Sequence, residues 1–361
     1  MLQWNLRGIT LILLFSLSLS RAWATTNLVF VGDLMQHMSQ HNRAFGHGGK
    51  RPDYHPFFAQ ILDELSGGDL LGANLEFPVV PSRPPSGYPQ FNGTVDYLHS
   101  LKDVGFDLLS TANNHTADQS SLGILETLDE LDSLDFLHVG SARTFEEQDN
   151  NFPIWRSPDG TNIAFLAYTF STNGLPFRPS HLVNLVNLNN SNANLSLIGR
   201  HIKTARARGA DVVIVQCHWG NEYENFPLTA VKNNARQILE MGADAIVGHH
   251  PHVVQPFEFV TTKDGRSGFI HYSLGNFFSG QTSFPKNVGV ILKLGVETDQ
   301  HGVLFTPQYI ATVVRPSDYV ILNADEIAID CKMRQDQSST CLMAENAHNH
   351  VRKIVFAYQR K

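Results

Sequence analysis

Three histidines, His249, His250 and His252, crowd the stretch GHHPHVVQP at 248–256. Imidazole is the commonest neutral metal ligand, and its nitrogens suit zinc, iron, nickel or copper. On a loop, His250 and His252 can converge on one ion or on two adjacent ions. Alone, such a pair reads equally as a polar loop with solvated rings. Four other places change that balance. Asp33, Glu76, Asn114 with His115, and His218 each follow a short apolar run. Each has a bland reading: Asp33 as a helix cap, Glu76 as a surface carboxylate, Asn114 as a turn residue, His218 as a hydrogen-bonded core histidine. Metal-competent groups at the ends of five strand-like runs are hard to explain as coincidence. That carboxyl edge of an α/β sheet is where ligands bind.

The chemistry that suits this set is two-metal hydrolysis. Two divalent cations about 3.5–4 Å apart need a bridging oxygen ligand, usually a carboxylate, and they clamp the oxygens of a phosphoryl group under in-line attack. Asp33 and Glu76 offer carboxylates, Asn114 an amide oxygen, and His218, His250 and His252 offer nitrogens. His115 is not needed as a ligand. Beside the centre it can protonate a leaving oxygen or stabilise developing charge.

The elements that must position these groups alternate between strand and helix patterns. Strand-like runs cover 28–31, 70–73, 106–110, 136–139, 163–168, 211–216, 244–247, 269–273, 288–296 and 303–314. Helical patterns cover 56–66, 95–104, 121–134, 197–208, 228–241 and 343–358. Gly248 lets the chain turn after its strand, and Pro251 stops a helix there. Residues 78–93 are rich in Pro, Gly and Ser and read as a loop, a rim or lid over a site. The stretch 184–196 reads as an irregular surface insertion, and His37, His41, His47 and His55 as a solvated histidine-rich loop.

Composition narrows the function. The chain has 361 residues, 42% of them apolar, enough for a sizeable core. A net charge of −7 without a basic stripe argues against nucleic acid as a partner. An acidic protein still binds an anionic substrate when metal ions sit between them. Residues 1–24 read as a signal peptide: Arg7, an apolar run Ile9 to Leu19, and Ala22-Trp23-Ala24 as a cleavage pattern. The alternative is an uncleaved anchor. A secreted or cell-envelope location, periplasmic or extracellular, follows from either. Of three cysteines, Cys331 and Cys341 can close a small loop in an oxidising compartment, while Cys217 reads as a buried thiol.

The stretches VGDLM, NLE, FDLLSTANNHTAD, HWGNEY, GADAIVGHHPHVVQ and YSLGNFF resemble, in order, the motifs of the CapA (PGA_cap) family. That family is associated with bacterial capsule and poly-γ-glutamate synthesis. The resemblance implies an α/β fold of the calcineurin-like metallophosphoesterase type, a four-layer α/β/β/α sandwich. It implies two divalent metal ions, manganese, iron or zinc, held by Asp33, Glu76, Asn114, His218, His250 and His252. His115 would be the catalytic residue. Asp118, Glu222, Tyr223 and Asn276 lie inside the same motifs and would orient ligands or touch substrate. The domain would span 25–325, with a C-terminal extension at 326–361.

Two departures from the superfamily stand out. Met35 occupies the place of the histidine in its opening D-x-H, and Glu76 the place of a bridging aspartate. Three readings remain open on the sequence. The first is a factor that makes, exports or attaches an anionic polymer, working with membrane-bound synthase subunits. The second is a secreted metal-dependent phosphoesterase with phosphate-ester substrates and no capsule role. The third is a non-catalytic polymer-binding module.

Overall fold

The computed structural model describes residues 25–300 and 302–359; the proposed signal peptide lies outside the described residues. The chain opens with β1 (Thr26–Leu34), α1 (Met38–Gly48), two short helices α2 (His55–Phe58) and α3 (Leu62–Leu65), and β2 (Leu70–Leu75). Then come α4 (Val95–Val104), β3 (Leu108–Ser110), α5 (Ser120–Ser133), β4 (Leu137–Val139) and α6 (Phe145–Asn150). A second run follows: β5 (Ile154–Arg156), β6 (Asn162–Thr169), α7 (Ser196–Ala207), β7 (Val212–His218), α8 (Thr229–Glu240) and β8 (Ala245–His249). The remainder is β9 (Phe257–Thr261), β10 (Ser267–His271), β11 (Asn276–Phe278), β12 (Val288–Asp299), β13 (Gly302–Val314), β14 (Ile321–Asn323), α9 (Ala324–Arg334) and α10 (Ser339–Val355).

These strands form two sheets. The first runs β14-β13-β12-β1-β2-β3-β4, with β11 added beside the end of β1; the second runs β5-β6-β7-β8-β10-β9. The strands that lead into the site are parallel within each sheet: β1, β2 and β3 in the first, β6, β7 and β8 in the second. Parallel neighbours end at the same edge, so their carboxyl-terminal loops meet there. Between the sheets lies one apolar core, where Phe30 meets Phe165 with ring centroids 6.4 Å apart. It continues under α7 and α8 through Ile198, Ile202, Val231 and Ile238. A second core, with Phe57, Phe58, Tyr97 and Phe106, covers the outer face of the first sheet. The result is the four-layer α/β/β/α sandwich.

Some local expectations need correction and others hold. The histidine-rich segment is not a solvated loop. It forms α1, with Gln40, His41 and Ala44 buried and the His41 imidazole 2.8 Å from the Tyr54 hydroxyl. His37 is partly covered, and its Nδ1 accepts from Gly280 N at 3.1 Å. Only His47 and His55 are exposed. The single helix expected over 56–66 breaks at Ile61 (φ −133°), giving α2 and α3. The stretch 184–196 is irregular but not superficial, because Val186, Leu188 and Leu195 enter the core. Cys331 and Cys341 form a disulfide between α9 and α10, and Cys217 is buried. The C-terminal helix packs back onto the domain: α10 places Ala344, Ala347, Val351 and Ile354 in the main core.

Two glycines set how closely the sheets' loops approach. A methyl group on Gly32 would stand 1.8 Å from the Gly275 carbonyl oxygen, and one on Gly248 would stand 1.9 Å from that of Tyr272. Both obstacles are backbone, which cannot rotate away. Gly248→Ala should therefore cost roughly 1–3 kcal/mol of stability and displace the loop that carries His250 and His252. Thermal unfolding and metal content would be measured together. An alanine variant with the parent melting temperature and full metal content would contradict this packing.

Candidate metal centre

Asp33 should point away from the second sheet. In β1, Val29 and Val31 face the outer core and Phe30 the inner one, so simple alternation sends residue 33 outward. A register shift between Phe30 and Asp33 in the β1–β2 pairing, and another between Asp33 and Leu34 against β11, breaks that alternation. Leu34 returns to the outer core and the Asp33 carboxylate turns inward. A bulge used this way re-aims one side chain without ending the strand. Asp33 Oδ1 accepts from Asn74 Nδ2 at 2.8 Å, and Oδ2 lies 3.1 Å from His252 Nδ1.

Glu76 follows β2 and is fully buried. Its Oε1 lies 3.5 Å from His218 Nε2 and 3.6 Å from His252 Nε2, and it has no hydrogen-bond partner. Those distances are too long for hydrogen bonds. They suit donors arranged around a common cation, whose ligands at about 2.0–2.2 Å from the ion stand about 3–3.5 Å from one another. His218 closes β7, and its Nε2 also meets Asn114 Oδ1 at 2.8 Å. Asn114 Nδ2 donates to Asn173, which turns the amide oxygen inward.

His250 and His252 follow β8 on a tight arc around Pro251. Both have left-handed backbones, φ 97° and 57°, uncommon for residues with side chains. The arc places both imidazoles on the site. His252 Nδ1 faces two acceptors, Asp33 Oδ2 and Asn276 Oδ1 at 3.0 Å, so Nδ1 carries the proton and Nε2 the lone pair. Asn276 is oriented in turn by donating to the Lys286 carbonyl at 2.9 Å.

His115 stands beside this cluster with its Nδ1 2.7 Å from Asp118 Oδ2. The pair is buried, and Phe91 from the 78–93 loop packs edge-on against the ring at 4.7 Å. The Phe91 amide also donates to Asp118 at 2.7 Å, so the loop is tied to the site at this point. Tyr223 sits on the other rim, 6.2 Å from the His252 ring, half exposed, with Lys286 above it. Glu222 beside it is exposed.

Candidate ligand atoms fall into two groups, Asp33–Glu76–His218 and Glu76–His250–His252, with the atoms of each group within 4.8 Å of one another. Glu76 belongs to both. Burial works to raise the Asp33 carboxyl, but the neighbouring imidazoles of His249 and His252 carry it well below the usual carboxylate range. Burial, then the charges of Asp33 and Glu222, push Glu76 well above it. Burial holds His218 far below its ordinary value and His250 down to about 3. Neutral imidazoles are the form that binds metal. The orphaned Glu76 oxygen, the unpartnered His250 Nδ1 and the neutral imidazoles fit divalent cations held by these residues.

The site also contains residues the motifs did not single out. Asn74, two positions before Glu76 on β2, donates to Asp33 and lies 3.4 Å from Glu76 Oε2. Its place in the N-L-E stretch is the signal the sequence offers. Asn113 accepts from His115 N at 3.1 Å and donates to the Leu75 carbonyl at 2.7 Å, which fixes the turn that presents Asn114 and His115. His249 is buried with its Nδ1 3.5 Å from Asp33 Oδ1. Behind it lie two more buried polar side chains, His271 and Gln216. Both nitrogens of each histidine and both amide atoms of the glutamine lack a hydrogen-bond partner in the protein. At about 1–3 kcal/mol per unsatisfied atom, such a group left dry would consume a stability typical of a whole domain.

Comparison with known proteins follows the same lines. The family model described as "Bacterial capsule synthesis protein PGA_cap" matches residues 27–281. The chain is 28% identical over 265 residues to the Bacillus anthracis "Capsule biosynthesis protein CapA", covering 70% of this chain and 60% of that one. It is 29% identical over 258 residues to the "PGA biosynthesis protein CapA" of Bacillus subtilis, covering 70% and 63%. It thus spans less than two thirds of the length of these relatives. Among solved structures, a phosphatase from Mycoplasma pneumoniae superposes with a TM-score of 0.47 at 16% identity, covering 81% of this chain and 94% of that one. A Thermus thermophilus protein superposes with a TM-score of 0.41 at 9% identity, covering 79% and 99%. The family match takes in every site residue from Asp33 to Asn276, and the chain belongs to the bacterial capsule synthesis protein family PGA_cap.

Proposed function

We propose that this chain is a cell-envelope hydrolase that acts on phosphate esters during the making, export or attachment of an anionic polymer of the poly-γ-glutamate kind. The observation that carries the reading is Glu76. It belongs to both ligand groups, and its buried Oε1, without a hydrogen-bond partner, stands 3.5 Å from His218 Nε2 and 3.6 Å from His252 Nε2, which is how a bridging ligand of a dinuclear centre would stand. Asp33, Asn114 and His218 would complete one side, His250 and His252 the other. Bound divalent ions, manganese, iron or zinc, would supply positive charge for the phosphoryl oxygens and a water acidic enough to attack near neutral pH.

The chain's own residues supply the rest. Asp118 accepts from His115 Nδ1 and so orients the ring, and the protonated ring would pass its Nε2 proton to a leaving oxygen. Phe91 and the 78–93 loop shield that proton from bulk water. Asn276 and Asn74 fix the orientation of His252 and Asp33. On the open rim, Tyr223, Gln281 and Lys286 offer donors for an anionic group of the substrate. The capsule role rests on the family and on the names of the two Bacillus relatives; membrane-bound synthase subunits are the expected partners. The location rests on the N-terminal segment read as a signal peptide. No helix among the described residues is long and apolar enough to cross a membrane.

The test is metal-stimulated release of nitrophenol from 4-nitrophenyl phosphate. His115→Ala should lower kcat by about 10²–10⁴ with metal content unchanged, because the ring is not among the ligands. Absence of turnover with manganese, iron and zinc alike would overturn the hydrolytic reading. A cell envelope unchanged on deletion of the gene would overturn the capsule role.

A further inference from the structure

Three strands of the second sheet bring unpartnered polar side chains to one place. His218 pairs in register with His249, and Val247 pairs with both Gln216 and His271. Paired residues on parallel neighbours share a face, and so do residues two apart along a strand. Gln216, His249 and His271 therefore share the face that carries His218 toward the first sheet. The His271 ring meets Tyr309 of the first sheet at 5.4 Å, and that hydroxyl is unpartnered as well. At the other end His249 Nδ1 approaches Asp33 Oδ1 at 3.5 Å.

We propose that His249, His271 and Gln216 form a buried water-binding site behind the metal centre, and that this water, acting through His249, positions Asp33. The donor and acceptor inventory fits the ligand. A neutral imidazole has one donor and one acceptor, a primary amide two donors and an acceptor, and water can serve both kinds at once. A cation would want fixed negative charge, and none of the three residues carries it. An apolar fill would leave every one of these atoms unsatisfied. Water held between His271 and His249 fixes the His249 ring by Nε2, so that Nδ1 is aimed at Asp33. His249 is thus a positioning residue rather than a ligand. The positioning role rests on the reading of Asp33 as a metal ligand; the water site does not.

The experiment combines a high-resolution crystal structure of the full chain with two variants titrated with manganese. The structure should show water within hydrogen-bond reach of His271 and Gln216. His271→Leu should lower the melting temperature and weaken manganese binding by about 10-fold, within the 10–100-fold range for partners of ligands. His271→Gln, which keeps a donor and an acceptor, should recover most of that loss. A dry seam predicts the reverse for His271→Leu: removal of two orphaned nitrogens would raise the melting temperature and leave manganese binding at the parent value. That result, or a structure without water there, overturns the proposal. If His271→Leu does not fold, Gln216→Leu carries the same pair of readouts from the opposite wall. A parent chain that shows the water but binds no manganese would remove the positioning role and the metal reading together, with the water site intact.

Discussion

Glu76→Gln should yield a protein that is steadier without metal and nearly unable to bind it. The carboxylate is fully buried, its Oε1 accepts no hydrogen bond, and it faces the charge of Asp33. In the metal-free protein it is a burden, since an ionised carboxylate in such surroundings is costly. Glutamine keeps the shape and removes the charge. The metal-free variant should therefore melt a few degrees above the metal-free parent. In the metal-loaded state the sign reverses. Residues that merely orient a ligand commonly cost 10–100-fold in metal affinity. Loss of a charged ligand common to both groups should exceed about 100-fold. Elemental analysis and melting curves with and without chelator would read both effects. Opposite signs distinguish the change from general damage, which lowers both. A variant that keeps full metal content would end the case for a shared ligand.

Acid should unfold the metal-free protein, with a midpoint between about pH 4 and 6. Burial depresses His37 and His201 to about 4, and His250 and His271 to about 3, from an ordinary 6.5. The unfolded chain therefore takes up protons before the folded one does. Stability is complete above about pH 6.5 and drains as the pH falls toward the folded values. At pH 5 each of the four withdraws about 2 kcal/mol. Together they approach the 5–15 kcal/mol that holds a typical domain. Glu76 works the other way, since its raised pKa makes the folded state bind its proton first as the pH falls. Asp107 and Asp244 act in the same sense as Glu76, while His41, His218 and His350, also depressed by burial, add to the four. Bound metal should move the transition to lower pH, because ligand imidazoles must lose protons to bind. Circular dichroism across a pH series would show it. A metal-free fold intact at pH 3.5 would refute the assignment of these four as neutral rings screened from water.

The sequence exposes the strands that matter and the residues at their ends, because buried parallel strands are short apolar runs and their final polar residue is conspicuous. It does not expose direction. Nothing in Leu28 to Leu34 announces the bulge that turns Asp33 inward, since that depends on register with β2 and β11. Helix α1 escapes the sequence for a different reason. Its buried face is Gln40, His41 and Ala44 rather than leucine and valine, so apolar periodicity gives no signal. The hairpin of β9 and β10 is only half legible, because β9 buries only its first residue, Phe257. Gln216 and His271 sit inside apolar runs and carry no signal of their own. What separates them from ordinary core residues is that the interior offers them no partner.

The arc of His250 and His252 lies 217 residues along the chain from the carboxylate it approaches, and Asn276 lies further still. A nascent polypeptide released before that asparagine lacks a finished site, however well its early strands have formed. Metal would therefore be acquired only after residue 276 has been made, wherever the chain finishes folding. Which ion occupies the site would then depend on the supply in that compartment as much as on the ligands themselves. A protein made in one compartment and folded in another would take its metal from the second.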